Sequence, residues 1–107
     1  MIRVTVYEHK KVPYGIALQG HAGAGSEGND IVCAAVSSAA YMAANTVTEI
    51  IGNEAEIDVS DGKMSLKLAK PYQSSQDVLQ GLKLHLEGLA EQYHDYIAVN
   101  MEVQHNA

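Results

Sequence analysis

The sequence has one cysteine, Cys33, among 107 residues, so no disulfide can close within the chain. The fold must rest on its apolar core, and a free thiol suits a reducing compartment. Basic residues are also scarce: seven Lys and Arg stand against thirteen Asp and Glu, a formal net charge of −6, and no basic cluster exceeds Lys10-Lys11. That balance disfavours the phosphate contacts behind most nonspecific nucleic-acid affinity, so no direct nucleic-acid partner is expected. Met1-Ile2-Arg3-Val4-Thr5-Val6 alternates where a signal peptide would carry an apolar core. No apolar run is read as approaching the roughly 20 residues of a bilayer span. The expectation is a cytoplasmic protein with no membrane partner. Linkers, repeats and low-complexity tracts are absent, and 47% apolar with 19% charged residues is ordinary for a soluble domain. A single domain over residues 1–107 is expected, able to bury roughly 65% of the surface its unfolded chain exposes.

What the chain does contain is alternation. Ile2, Val4 and Val6 share one face of a period-two pattern, as do Ile16 and Leu18 after an interruption at Val12-Pro13-Tyr14-Gly15. Ala55, Ile57 and Val59 alternate again, and Met64, Leu66 and Leu68 resume the pattern beyond Asp61-Gly62, a pair suited to a type I′ hairpin. Ile97, Val99, Met101 and Val103 form a fifth run. A first helix is predicted from about Asp30 to Ile51, with Val32, Ala35, Val36, Ala39, Ala43, Val47 and Ile50 inward and Gly52-Asn53 as its stop. A second is predicted from about Ser75 to Tyr93, opened by a capping box in Ser74-Ser75-Gln76-Asp77 and striped by Leu79, Leu82, Leu86, Leu89 and Tyr93. The order is ββαββαβ. Strands with one apolar face predict an α+β fold, a mainly antiparallel five-stranded sheet with two helices packed on one face.

Between the second strand and the first helix lies Gly23-Ala24-Gly25-Ser26-Glu27-Gly28, a literal G-x-G-x-x-G. As a phosphate cradle it fits poorly. The helix starts only after Asn29-Asp30, and Glu27 and Asp30 would set two carboxylates beside a pyrophosphate that needs N–H groups and positive charge. A glycine-rich surface loop that folds over bound substrate is the better physical reading.

The ends of that segment carry more chemistry than its glycines. With Asp30 as N-cap, Cys33 falls in the first helical turn, where the positive end of the helix dipole favours a thiolate. Ser37 lies one turn farther on, about 40° around the helix from Cys33. His21 ends the preceding strand, and the loop can close the gap so that imidazole meets thiol. Plainer readings stand beside these. A lone Cys in an Ala-rich helix serves as a small buried apolar residue, His21 as a turn residue, Ser37 as a donor to its own helix and Asp30 simply as a cap. His9, His85, His94 and His105 show no metal-ligand spacing, and no metal or cofactor is expected.

Gly20-His21-Ala22 followed by Gly28-Asn29-Asp30-Ile31-Val32-Cys33-Ala34-Ala35-Val36-Ser37 resembles the signature of the ribosomal-processing cysteine proteases, the Prp family. The resemblance spans essentially the whole chain and shows no departure inside the motif. It implies a cysteine endopeptidase that removes the N-terminal extension of large-subunit ribosomal protein twenty-seven, cutting after paired aromatic residues. Cys33 falls on the family's nucleophile and His21 on its general base. Asp30, Ser37, Gly20, Ala22 and Gly28 are the implied supporting or substrate-binding residues. A homodimer and a ribosomal protein substrate are the implied partners, and no third catalytic residue stands out. Outside the enzyme class, a ribosome-assembly adaptor that binds a basic ribosomal protein without cutting it would share the acidic charge.

Overall fold

A computed structural model describes residues 1–21 and 30–103. Among the described residues the strands are β1 (Ile2–His9), β2 (Val12–Gln19), β3 (Ala55–Ser60), β4 (Lys63–Leu68) and β5 (Ile97–Val103). The two α-helices are α1 (Ile31–Asn45) and α2 (Gln73–Gln92). One mixed sheet results, in the order β3-β4-β2-β1-β5, antiparallel throughout except where β5 runs parallel to β1. The expected α+β architecture is therefore the observed one. Ile2, Val4, Val6, Ile16, Leu18, Met64 and Leu66 point from one sheet face into a core shared with Val32, Val36, Ala40 and Ala43 of α1 and Leu79, Leu82 and Leu86 of α2.

Several local expectations need correction. The stretch from Val12 to Gly15 does not interrupt the second strand. β2 is continuous from Val12, and a register shift between Tyr7 and Glu8 accommodates Pro13 opposite Glu8. The turn with both central residues at positive φ is Lys10-Lys11, at 52° and 66°, as a type I′ turn requires. At Asp61-Gly62 only Gly62 is left-handed, at +70°, so the expected type I′ geometry is not formed there.

The first helix ends as an α-helix at Asn45 and continues as a π-helical segment from Thr46 to Ile51, stopped by Gly52 at φ 76°. Thr46 Oγ1 donates to the Met42 carbonyl at 2.7 Å and Thr48 Oγ1 to that of Ala44 at 3.0 Å, drawing on carbonyls of the preceding turn. The wider π turn shifts the helical phase. Ile50, expected on the inward stripe, is consequently 80% exposed. From Ile31 to Ile51 the helical run is 21 residues, long and apolar enough to cross a membrane by length and composition, which revises the reading that no run approaches that span. Its inward residues are part of the core.

The capping box also fails. Tyr72 is the N-cap of α2 and makes no side-chain cap bond, while Ser75 lies inside the first turn, completely buried. Its hydroxyl accepts from Asn53 Nδ2 at 2.9 Å, and Asn53 Nδ2 also donates to the Lys70 carbonyl at 2.8 Å. Ser75 thus joins the helix to the segment after α1. The alternation of Ala55, Ile57 and Val59 predicts an apolar face on β3, yet Ile57 and Val59 on that face are exposed. They share the helix-side face with Leu66 and Met64. Unlike those two residues, they lie on an edge strand.

Candidate active site

The sheet end where β1 begins and β2 finishes is built from distant parts of the chain. Antiparallel pairing of β2 with β4 sets Leu18 opposite Met64 and Gln19 opposite Lys63, so the β3–β4 turn arrives beside Gly20-His21. Gly20 N–H donates to the Gly62 carbonyl at 2.8 Å. The Met1 ammonium donates to the His21 carbonyl at 2.6 Å. Gly20, at φ 101°, lies so close to Met1 that a Cβ there would overlap the Met1 carbonyl oxygen. The backbone carrying the imidazole is therefore held from two sides, while the His21 residue is itself exposed.

The opposing wall is the start of α1. Asp30 Oδ1 accepts from Val32 N–H at 3.1 Å and from Cys33 N–H at 3.0 Å, and the Asp30 carbonyl accepts from Ala34 N–H at 3.1 Å. This is the N-cap that the sequence predicts, and it fixes Cys33, half-buried, in the first turn. The same bonds bear on anion binding at this helix start, whether of a phosphate or of an oxyanion. The amides at this helix start already serve the chain's own carboxylate, so an incoming anion would have to compete with Asp30 for them.

Between the two walls lies an open cleft of about 330 Å³. His21, Cys33, Ser37 and Gly20 all line it. Ile2, Leu18, Val36, Tyr41, Val59 and Met64 supply apolar surface, and Ser60 to Lys63 form a polar rim. Asp30 acts from beneath, through the backbone of Val32 and Cys33. Ala22 and Gly28, the G-x-G-x-x-G and the expected substrate-covering loop fall in residues 22–29, outside the described residues. Sequence reasoning missed Tyr41 and the Val59–Met64 wall. Asp61-Gly62 was legible as a hairpin, but nothing local says which strand β4 pairs with, and that pairing is what carries the turn to His21.

A half-buried thiol at the head of a helix, sharing a cleft with a histidine and apolar walls, is an arrangement suited to nucleophilic attack on a peptide carbonyl. The sequence profile of the cysteine protease Prp family matches residues 1–98. The chain belongs to that family. It is accordingly a cysteine protease. The ribosomal processing cysteine protease Prp of Bacillus subtilis is 26% identical over 111 residues, covering 96% of this chain and 99% of that protein. The Prp of Staphylococcus aureus strain Mu50 is 26% identical over 102 residues, covering 92% of this chain and 95% of its own. The crystal structure of S. aureus Prp with a covalently linked product peptide has the same fold, with a TM-score of 0.91 at 24% identity over 95% of this chain and 100% of that one. Its structure with a substrate peptide gives 0.85 over the same shares.

Proposed function

We propose that Cys33 and His21 form the catalytic dyad of an endopeptidase that removes the N-terminal extension of a ribosomal protein, large-subunit protein twenty-seven. One observation carries this reading: His21 and Cys33, held by different elements, open onto one cleft with apolar walls. The Cys33 thiolate attacks the scissile carbonyl and His21 holds the thiol proton. Collapse of the tetrahedral intermediate expels the amine, which takes that proton. His21 then draws a proton from water as the water attacks the thioester, releasing the acid and restoring the thiol. Asp30 holds the helix start that presents the sulfur. Ser37 offers a hydroxyl one turn along the same wall. Ile2, Leu18, Val36, Tyr41, Val59 and Met64 give paired aromatic side chains of a substrate an apolar surface to cover. A net charge of −6 favours encounter with a basic ribosomal protein.

The same reading places the enzyme in the cytoplasm as a homodimer. Exposed Met101 and Val103 on edge strand β5, away from the cleft, are apolar surface that a twofold partner would cover. The deciding experiment incubates the purified protein with a peptide spanning the junction between extension and mature ribosomal protein, read by mass spectrometry. A single cut after the aromatic pair is expected from the wild type and none from Cys33→Ala. An intact peptide with the wild type, or cleavage by the alanine variant, overturns the proposal.

A further inference from the structure

We propose that Gly62, at the tip of the β3–β4 hairpin, is a positioning residue for the His21 imidazole. This rests on the assignment of His21 as the general base. A Cβ placed on Gly62 would lie 3.1 Å from His21 Nε2 and 3.7 and 3.8 Å from Cδ2 and Cε1. Nε2 is nearest and the two flanking carbons are almost equidistant, so the Nε2 end of the ring is the part that a side chain at position 62 would meet. The turn cannot easily withdraw. Its carbonyl accepts from Gly20 N–H at 2.8 Å, and Gly20 is the residue before His21. Nor can Gly20 give way, because it is packed on the Met1 backbone. The yielding part is the exposed imidazole, which a substituent at position 62 would rotate away from the cleft wall. At 3.1 Å the ring must give by a few tenths of an ångström; since misplacing a reacting group by about 1 Å can cost about 100-fold in rate, a shift of that smaller size costs several-fold, and the empty Cβ position at Gly62 acts on turnover through His21.

Gly52 supplies an internal control. Its φ of 76° matches the 70° of Gly62, so a Cβ strains the backbone equally at both, yet nothing lies within 4 Å of a Cβ at Gly52. The experiment compares wild type, Gly52→Ala, Gly62→Ala and Gly62→Asn for Tm, kcat, KM and the rate at which iodoacetamide alkylates Cys33. Asn enters the left-handed region more readily than other residues with a side chain, so Gly62→Asn fills the space with less backbone strain. Both alanine variants are expected to lose similar Tm. Only the two Gly62 variants are expected to lose kcat, by about 3- to 10-fold with KM little changed, and to alkylate more slowly. Gly62 variants whose kcat stays within about twofold of Gly52→Ala overturn the proposal. His21→Ala run in parallel separates the two claims. If it is fully active, the base assignment falls and this proposal with it; if it is inactive beside fully active Gly62 variants, this proposal alone falls.

Discussion

The two ends of the sheet solve the same backbone problem differently. The β1–β2 turn holds two lysines at positive φ, both exposed, whereas the β3–β4 turn holds only Gly62 there. Left-handed geometry costs a residue bearing a Cβ about 1–2 kcal/mol, and the lysine turn accepts that cost at two positions. Positive φ alone therefore does not dictate glycine in this sheet. What distinguishes Gly62 is the His21 ring beside it. The end with the lysine turn is organised instead around stability: Glu8, 6% exposed on the inward face of β1, pairs with Lys83 Nζ of α2 at 2.9 Å. One end is shaped by the cleft, the other by the attachment of a helix.

This contrast predicts that changes at the cleft end alter turnover far more than stability, and that the opposite end does the reverse. Cys33→Ala should give no detectable cleavage of the junction peptide with a Tm close to wild type; residual cutting would place the nucleophile elsewhere. His21→Ala should lower kcat/KM by about 10²- to 10⁴-fold, the usual range for a general base, measured with the same peptide. At the opposite end, Lys83→Ala strands the Glu8 carboxylate. It should cost about 2–3 kcal/mol by urea denaturation, at the lower edge of the range for broken buried pairs because 20% of the Lys83 side chain remains in water. Its kcat per folded molecule should be unchanged, and a loss of turnover without a loss of stability would break the comparison. The smallest effect belongs to Lys11→Gly. Relief of the left-handed strain should outweigh the added chain entropy and raise stability by about 0.5 kcal/mol, with no change in cleavage.

The parts legible in the sequence are those whose cause is local. Ile2, Val4 and Val6 record one buried sheet face because a strand returns to that face every second residue. Leu79, Leu82 and Leu86 record a helix stripe in the same way. Asp30 is readable as a cap, and Cys33 as a first-turn residue, because the bonds from Val32 and Cys33 to Asp30 Oδ1 span two and three positions. Readings failed where a distant partner took over a local signal. Ser75 looks like part of a capping box, but its hydroxyl is claimed by Asn53 from the segment after α1. Ile50 keeps the helical spacing of the inward stripe, but the π-helical turn moves it out of phase.

By itself the sequence determined five alternating strands, two helices and a thiol at a helix start, because periodic burial and capping leave their cause within a few residues of their effect. The tertiary structure alone decided that β2 pairs with β4, that β5 lies parallel to β1, and hence that Gly62 stands against His21 in the cleft that Cys33 also lines. Strand ladders are made from N–H and C=O groups that almost every residue carries, so the choice of neighbour leaves little trace in the side chains. The cleft exists only once that choice has been made.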